Sequence, residues 1–117
     1  ISSIFSGAIA ANDIAMIAVD LDNQKVWYGL NGTCNNGSAS QSSTFNSSSP
    51  DSTALTAGEF YYIGVGNENT KWHTNYGNGY FGTTAVSSAG TNASNLGIFE
   101  YDVPAGFTAI CTKGLNL

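Results

Sequence analysis

Ile14-Ala15-Met16-Ile17-Ala18-Val19-Asp20-Leu21-Asp22-Asn23-Gln24-Lys25-Val26-Trp27-Tyr28-Gly29-Leu30 decides the fold class of this chain. A short apolar run reaches Asp20, a polar stretch follows, and Val26 to Leu30 returns as a β-branched and aromatic run. Ala and Met would tolerate a helix, but the run is short and the polar segment is hairpin-like, which favours a buried strand. The reading is an antiparallel hairpin of Ile14–Val19 and Val26–Leu30 with its turn at Asp20–Lys25. Asn31-Gly32 follows at once. It is the strongest turn dipeptide in the chain, because both residues tolerate positive φ.

Outward from the hairpin the pattern stays β-like. Glu59-Phe60-Tyr61-Tyr62-Ile63-Gly64-Val65-Gly66, Lys71-Trp72-His73-Thr74-Asn75-Tyr76 and Ile98-Phe99-Glu100-Tyr101 read as further strands. Residues 33–53 and 83–95 are polar and low in complexity, so they are expected as long surface loops. Phe45 is the exception and is expected to pin the first loop to the body. Gly77, Gly79 and Gly82 among aromatics suit tight bends and close backbone approach. Val103-Pro104-Ala105-Gly106-Phe107 reads as a terminal turn.

Composition narrows the function classes. At 117 residues a single domain over 1–117 is expected. Only 9% of residues are charged, far below the usual value of about 25%. The net charge is -5, with three lysines and no arginine. Nucleic-acid binding needs clustered cations to displace counterions, so it is not expected, and neither is an anionic membrane surface. No apolar run approaches the roughly 20 residues of a membrane-spanning helix. The chain opens on Ile1 without a basic start. A cleavage point or the internal boundary of a longer polypeptide is expected there rather than a signal peptide.

No residue pattern carries an enzymatic signature. His73 is the single histidine and has no triad neighbourhood in sequence. Asp20-x-Asp22-Asn23 looks like the start of a calcium loop, but the glycine and distal glutamate are missing, so a turn explains it and no metal is expected. Glu100 and Asp102 would share a strand face without facing each other across a cleft. Cys34 and Cys111 are two packing thiols or one long-range disulfide; their spacing excludes neither. Candidate ligand-binding residues are Phe45, Trp72, His73 and Tyr80, as aromatic or imidazole groups near loops. Asn31, Asn36, Asn46 and Asn92 stand in Asn-x-Ser/Thr triplets open to glycosylation in a host that glycosylates.

The segments Val19-Asp20-Leu21-Asp22, Lys25-Val26-Trp27-Tyr28, Asn31-Gly32, Phe60-Tyr61-Tyr62, Asn75-Tyr76-Gly77 and Pro104-Ala105-Gly106-Phe107-Thr108-Ala109 occur in one order. In this the chain from about Asn12 onward resembles the SPRY (B30.2-like) domains that end many tailed-bacteriophage structural proteins. The resemblance implies an all-β, antiparallel β-sandwich, SPRY-like or jelly-roll-like. That sandwich would be incomplete without an N-terminal segment or partner strand. It also implies a non-enzymatic virion surface or structural protein: a fibre or decoration module, located on the virion surface or otherwise extracellular, without cofactor. Its loops would meet a host-surface glycan or protein, and other virion or filament subunits, including copies of itself, would be its partners. A subunit of an extracellular filament held by strand exchange is the alternative. A polysaccharide-degrading tailspike is the third reading.

Overall fold

The computed structural model describes residues 5, 8–38, 44–64, 71–87 and 96–111. Among them there is no helix, and all strands lie in antiparallel sheets, so the chain is all-β. It divides into two compact units, Ile1–Phe60 and Tyr61–Leu117.

The first unit is built on the expected hairpin. Strand β1 (Ala15–Asp20) pairs with β2 (Lys25–Leu30), in a register running from Ala15 opposite Leu30 to Asp20 opposite Lys25. The connecting turn is closed from within. Asp20 Oδ1 accepts from the Asn23 amide at 3.0 Å, and Oδ2 accepts from Asn23 Nδ2 at 2.8 Å. Gln24, at φ 58°, then swings the chain back into the ladder.

Asn31 (φ 50°) and Gly32 (φ 85°) form a two-residue turn with both φ positive, the type I′ geometry that matches strand twist. The turn leads into β3 (Thr33–Cys34), which pairs back on β2 through Leu30 opposite Thr33. Residues 33–34 are therefore sheet, a correction to the loop expected from Thr33. The Asn31 side chain also clamps the open end of the hairpin: Oδ1 accepts from the Ile14 amide at 2.8 Å and Nδ2 donates to Asp13 Oδ1 at 2.7 Å.

Strand order is β1-β2-β3, and the two long margins of this sheet differ. On the β3 side the pairing of β2 continues past the short strand. Asn35 N donates to Tyr28 O, Val26 N donates to Ser52 O, and Val26 O accepts from the amides of Asp51 and Ser52. On the β1 side no further strand follows among the described residues. Asn31 N donates to Ile14 O, so by alternation Met16, Ala18 and Asp20 also bond toward β2, while Ala15, Ile17 and Val19 direct N–H and C=O away from it. Those three have no outward hydrogen-bond partner among the described residues.

The second unit carries less regular structure. Strands β4 (Tyr80–Phe81) and β5 (Thr84–Ala85) form a minimal hairpin, and a parallel bridge joins Asn78 to Ile98. Thr84–Ala85 thus corrects the loop expected to begin at residue 83. Gly77, at φ 83°, shows the close approach that its glycine suggests: a Cβ there would stand 2.7 Å from Cys111 Cβ and 2.9 Å from Gly97 Cα. The terminal turn is present, with Phe107 N donating to Pro104 O at 3.1 Å and Gly106 at φ 90°.

Three expected strands are not strands. Residues 59–64, 71–76 and 98–101 form no named strand, and only Ile98 and Phe99 among them make isolated bridges. Aromatic and β-branched side chains favour a pleated, half-buried surface. Here the packing is lacking: Phe60 and Tyr62 are 101% and 93% exposed, and Tyr61 and Ile63 are also exposed. Gly64 closes the described part of that segment; Val65 and Gly66 lie outside the described residues.

Candidate functional site

The best-built surface feature in the first unit is the polar segment 35–38 with 44–52, and it is assembled from β2 outward. Trp27, 2% exposed, is the most buried large side chain of the hairpin. Phe45 lies against it with ring centroids 5.4 Å apart and planes tilted by 54°, within the favourable range for an aromatic pair. Trp27 Nε1 donates to Asn46 O at 3.0 Å. Phe45 thus pins the loop as expected, from a half-buried position.

Asp51 is the second anchor. Its Oδ2 accepts from the Tyr28 amide at 2.7 Å and its Oδ1 accepts from the Gly37 amide at 2.8 Å. One carboxylate therefore stands in for a strand neighbour on β2 while holding the far side of the loop. Asn36 and Asn46 lace the two limbs together. Asn36 Nδ2 donates to Thr44 O, and Asn36 Oδ1 accepts from the Asn46 amide at 2.8 Å. Asn46 Oδ1 accepts from Ser48 N and its Nδ2 donates to Ser49 Oγ. Asn35, 2% exposed, is the buried polar residue at the base. The result is a fixed loop whose outer positions Thr44, Asn46, Ser47 and Ser48 are exposed hydroxyl and amide groups. Its middle, residues 39–43, lies outside the described residues.

The same bonds bear on the glycosylation triplets. The side-chain amides of Asn31, Asn36 and Asn46 each donate one hydrogen bond within the fold. Asn92 lies outside the described residues. Cys34 and Cys111 are both free thiols in this structure, and Cys111 is buried. Cys34 is half-buried, and burial followed by the charge of Asp51 raises its thiol above the ordinary value.

The other candidate ligand residues belong to the second unit. Tyr80 is exposed at the start of β4. His73 is exposed and lies over Gly82, where a Cβ would come 2.7 Å from His73 Nδ1. Trp72 is half-buried, and its Nε1 is buried without a hydrogen-bond partner. Glu100 is half-buried and accepts from Ser87 through both oxygens, Oε2 from the amide at 2.6 Å and Oε1 from the hydroxyl. Asp102 is exposed. Among the described residues no group of three or more His, Cys, Asp or Glu could hold a metal ion.

Sequence reasoning missed Asp51 altogether. The available signal was a lone acid in the polar stretch Ser49-Pro50-Asp51-Ser52, because Asp favours bonding to nearby backbone amides where ladders end.

In comparisons with known proteins, the chain matches no family model, no curated protein and no solved structure.

Proposed function

We propose that the chain is a non-enzymatic binding module of a virion surface, a fibre or decoration component in which a SPRY-like antiparallel β-sandwich presents polar loops to a host-surface glycan or protein. The observation that carries this reading is the loop at 44–51. Exposed hydroxyl and amide groups are held in place by Asp51, Asn36, Asn46 and the Trp27–Phe45 contact. A loop ordered in advance loses less freedom on meeting a ligand, so weak individual hydrogen bonds add up to useful affinity. The engagement of Glu100 by Ser87 favours a structural role for that acid over a catalytic one.

The test is retention of the purified chain on a panel of bacterial cells and on arrays of their surface polysaccharides. Replacing Ser47 and Ser48 by alanine is expected to reduce retention while the Trp27 fluorescence of the folded chain is unchanged. Equal retention of the variant on every surface would count against the loop as the binding element.

The filament reading has its own support in the unfilled margin of β1 and the exposed run Phe60-Tyr61-Tyr62-Ile63. Strand exchange between subunits would use both. Fibres seen by electron microscopy of the purified chain, lost when Tyr62 becomes lysine, would favour it over the adhesive module.

A further inference from the structure

Strand β1 leaves the N–H and C=O groups of three alternate residues, Ala15, Ile17 and Val19, without partners among the described residues. The strand is six residues long, its sequence Ala15-Met16-Ile17-Ala18-Val19-Asp20 is uncharged until its last position, and no proline or bulge interrupts it. Such an edge is a template for another strand. The opposite margin of the sheet is closed differently: β3 is two residues long, and Asn35, Asp51 and Ser52 occupy the rest of β2. The described sheet therefore offers one long open edge, and the same edge of a second copy is complementary to it.

We propose that two copies of the chain pair β1 against β1 in antiparallel fashion about a two-fold axis through Ile17. This register sets Ile17 opposite Ile17 of the second copy and Ala15 opposite Val19, so all three outward residues on each strand are matched. Each matched pair exchanges two backbone bonds, which gives about six new bonds across the seam. Ile17 is 45% exposed in the single chain, and the pairing buries it against its own copy. Charge also fits. Asp20 falls opposite Ile14, Asp13 opposite Leu21 and Asp22 opposite Asn12, so no acid directly faces an acid in a chain of net charge -5. The contact is isologous and closes on itself, giving a continuous sheet with three strands from each copy rather than a filament.

Sedimentation and amide hydrogen exchange on the whole 117-residue chain test this together. The expected mass is twice that of the chain, with the amides of Ala15, Ile17 and Val19 slowed by at least about tenfold relative to the dilute monomer. Ile17→Lys sets two cations face to face on the axis. It is expected to give the monomer mass and to lose that protection, with the amides of Met16 and Ala18 still protected by β2. Because a lysine could disturb the strand itself, Ile17→Cys provides a separate reading. Cα atoms about 5.5 Å apart across such a pair allow a disulfide, so mild oxidation should yield a 17–17 linked dimer, whereas Ala15→Cys alone should not link through residue 15. A monomer at all concentrations overturns the proposal. So does protection of the three amides within a monomer, since a strand of the same chain would then fill the edge. An assembly larger than the dimer, or one indifferent to Ile17→Lys, also overturns it.

Discussion

Asp51 substitutes for a strand at Tyr28: its Oδ2 accepts from the Tyr28 amide at 2.7 Å, at the point where β3 has left the sheet and the chain returning at Ser52 has not yet joined it. The other oxygen holds Gly37. A single side chain thus completes the margin of β2 and fixes the surface loop above it, which ties the stability of the sheet to the shape of the candidate binding surface.

Asp51→Ala should therefore do two things at once. Hydrogen bonds to a charged acceptor contribute more than neutral ones, and losing two of them should cost about 3 kcal/mol. Urea unfolding followed by Trp fluorescence would measure this. Exchange of the Gly37 amide should rise further than that of Met16. A variant as stable as the parent would mean that the carboxylate contributes nothing at this margin.

The thiol of Cys34 reports on the same group. Burial first, and the Asp51 charge second, keep it protonated above its ordinary range. Alkylation by iodoacetamide near neutral pH should be slower than for an unhindered thiol, because the thiolate is the reacting form. Asp51→Asn should speed it by removing the negative neighbour. An unchanged rate in that variant would separate Cys34 from Asp51.

Acid should loosen the two ends of the hairpin. Bonds from Asn31 and then the Ala10 amide hold Asp13 below the ordinary carboxylate value of 3.8, and bonds from Asn23 do the same for Asp20. A carboxylate depressed in the folded state stabilises it above the unfolded value. That contribution is lost as pH falls through the folded value. As pH falls below the ordinary carboxylate value of 3.8, the protection of the Asn23 and Ile14 amides relative to the unstructured chain at the same pH should fall, and Asp13→Asn with Asp20→Asn should flatten the response. An equal acid response in the double variant would assign it to other groups.

Two glycines of the second unit separate strain from crowding. Gly77 and Gly106 both have positive φ, at 83° and 90°. A Cβ at Gly106 meets nothing within 4 Å, whereas one at Gly77 meets Cys111 Cβ at 2.7 Å. Gly106→Ala should cost about 1 kcal/mol from backbone strain alone. Gly77→Ala should cost at least about twice that, since overpacking is added. Equal losses in thermal unfolding would show that Cys111 moves aside freely.

The hairpin was legible because its signals are local: two apolar runs, a polar turn whose Asp20 and Asn23 close on each other, and an Asn-Gly pair. Phe45 was legible as the lone large apolar group in a polar stretch. The register of β3 was hidden because Thr33-Cys34 becomes a strand only through pairing with Gly29 and Leu30. Phe60 to Ile63 misled for the reverse reason. Its residues carry strand propensity, but propensity expresses fit to a neighbouring surface, and exposed Phe60 and Tyr62 have none. Asp51 escaped notice because its role depends on a segment more than twenty residues earlier in the chain, as the 23-residue separation of its bond to Tyr28 records.

The central claim is that this module binds without turning over what it binds. Its most direct test is to incubate the purified chain with bacterial surface polysaccharide and to measure retained protein and released reducing ends in the same sample. The account predicts retention that falls when Ser47 and Ser48 are replaced by alanine, with no release of reducing ends. Steady release of reducing ends, abolished by Glu100→Gln or Asp102→Asn, would contradict it and make the protein a depolymerase.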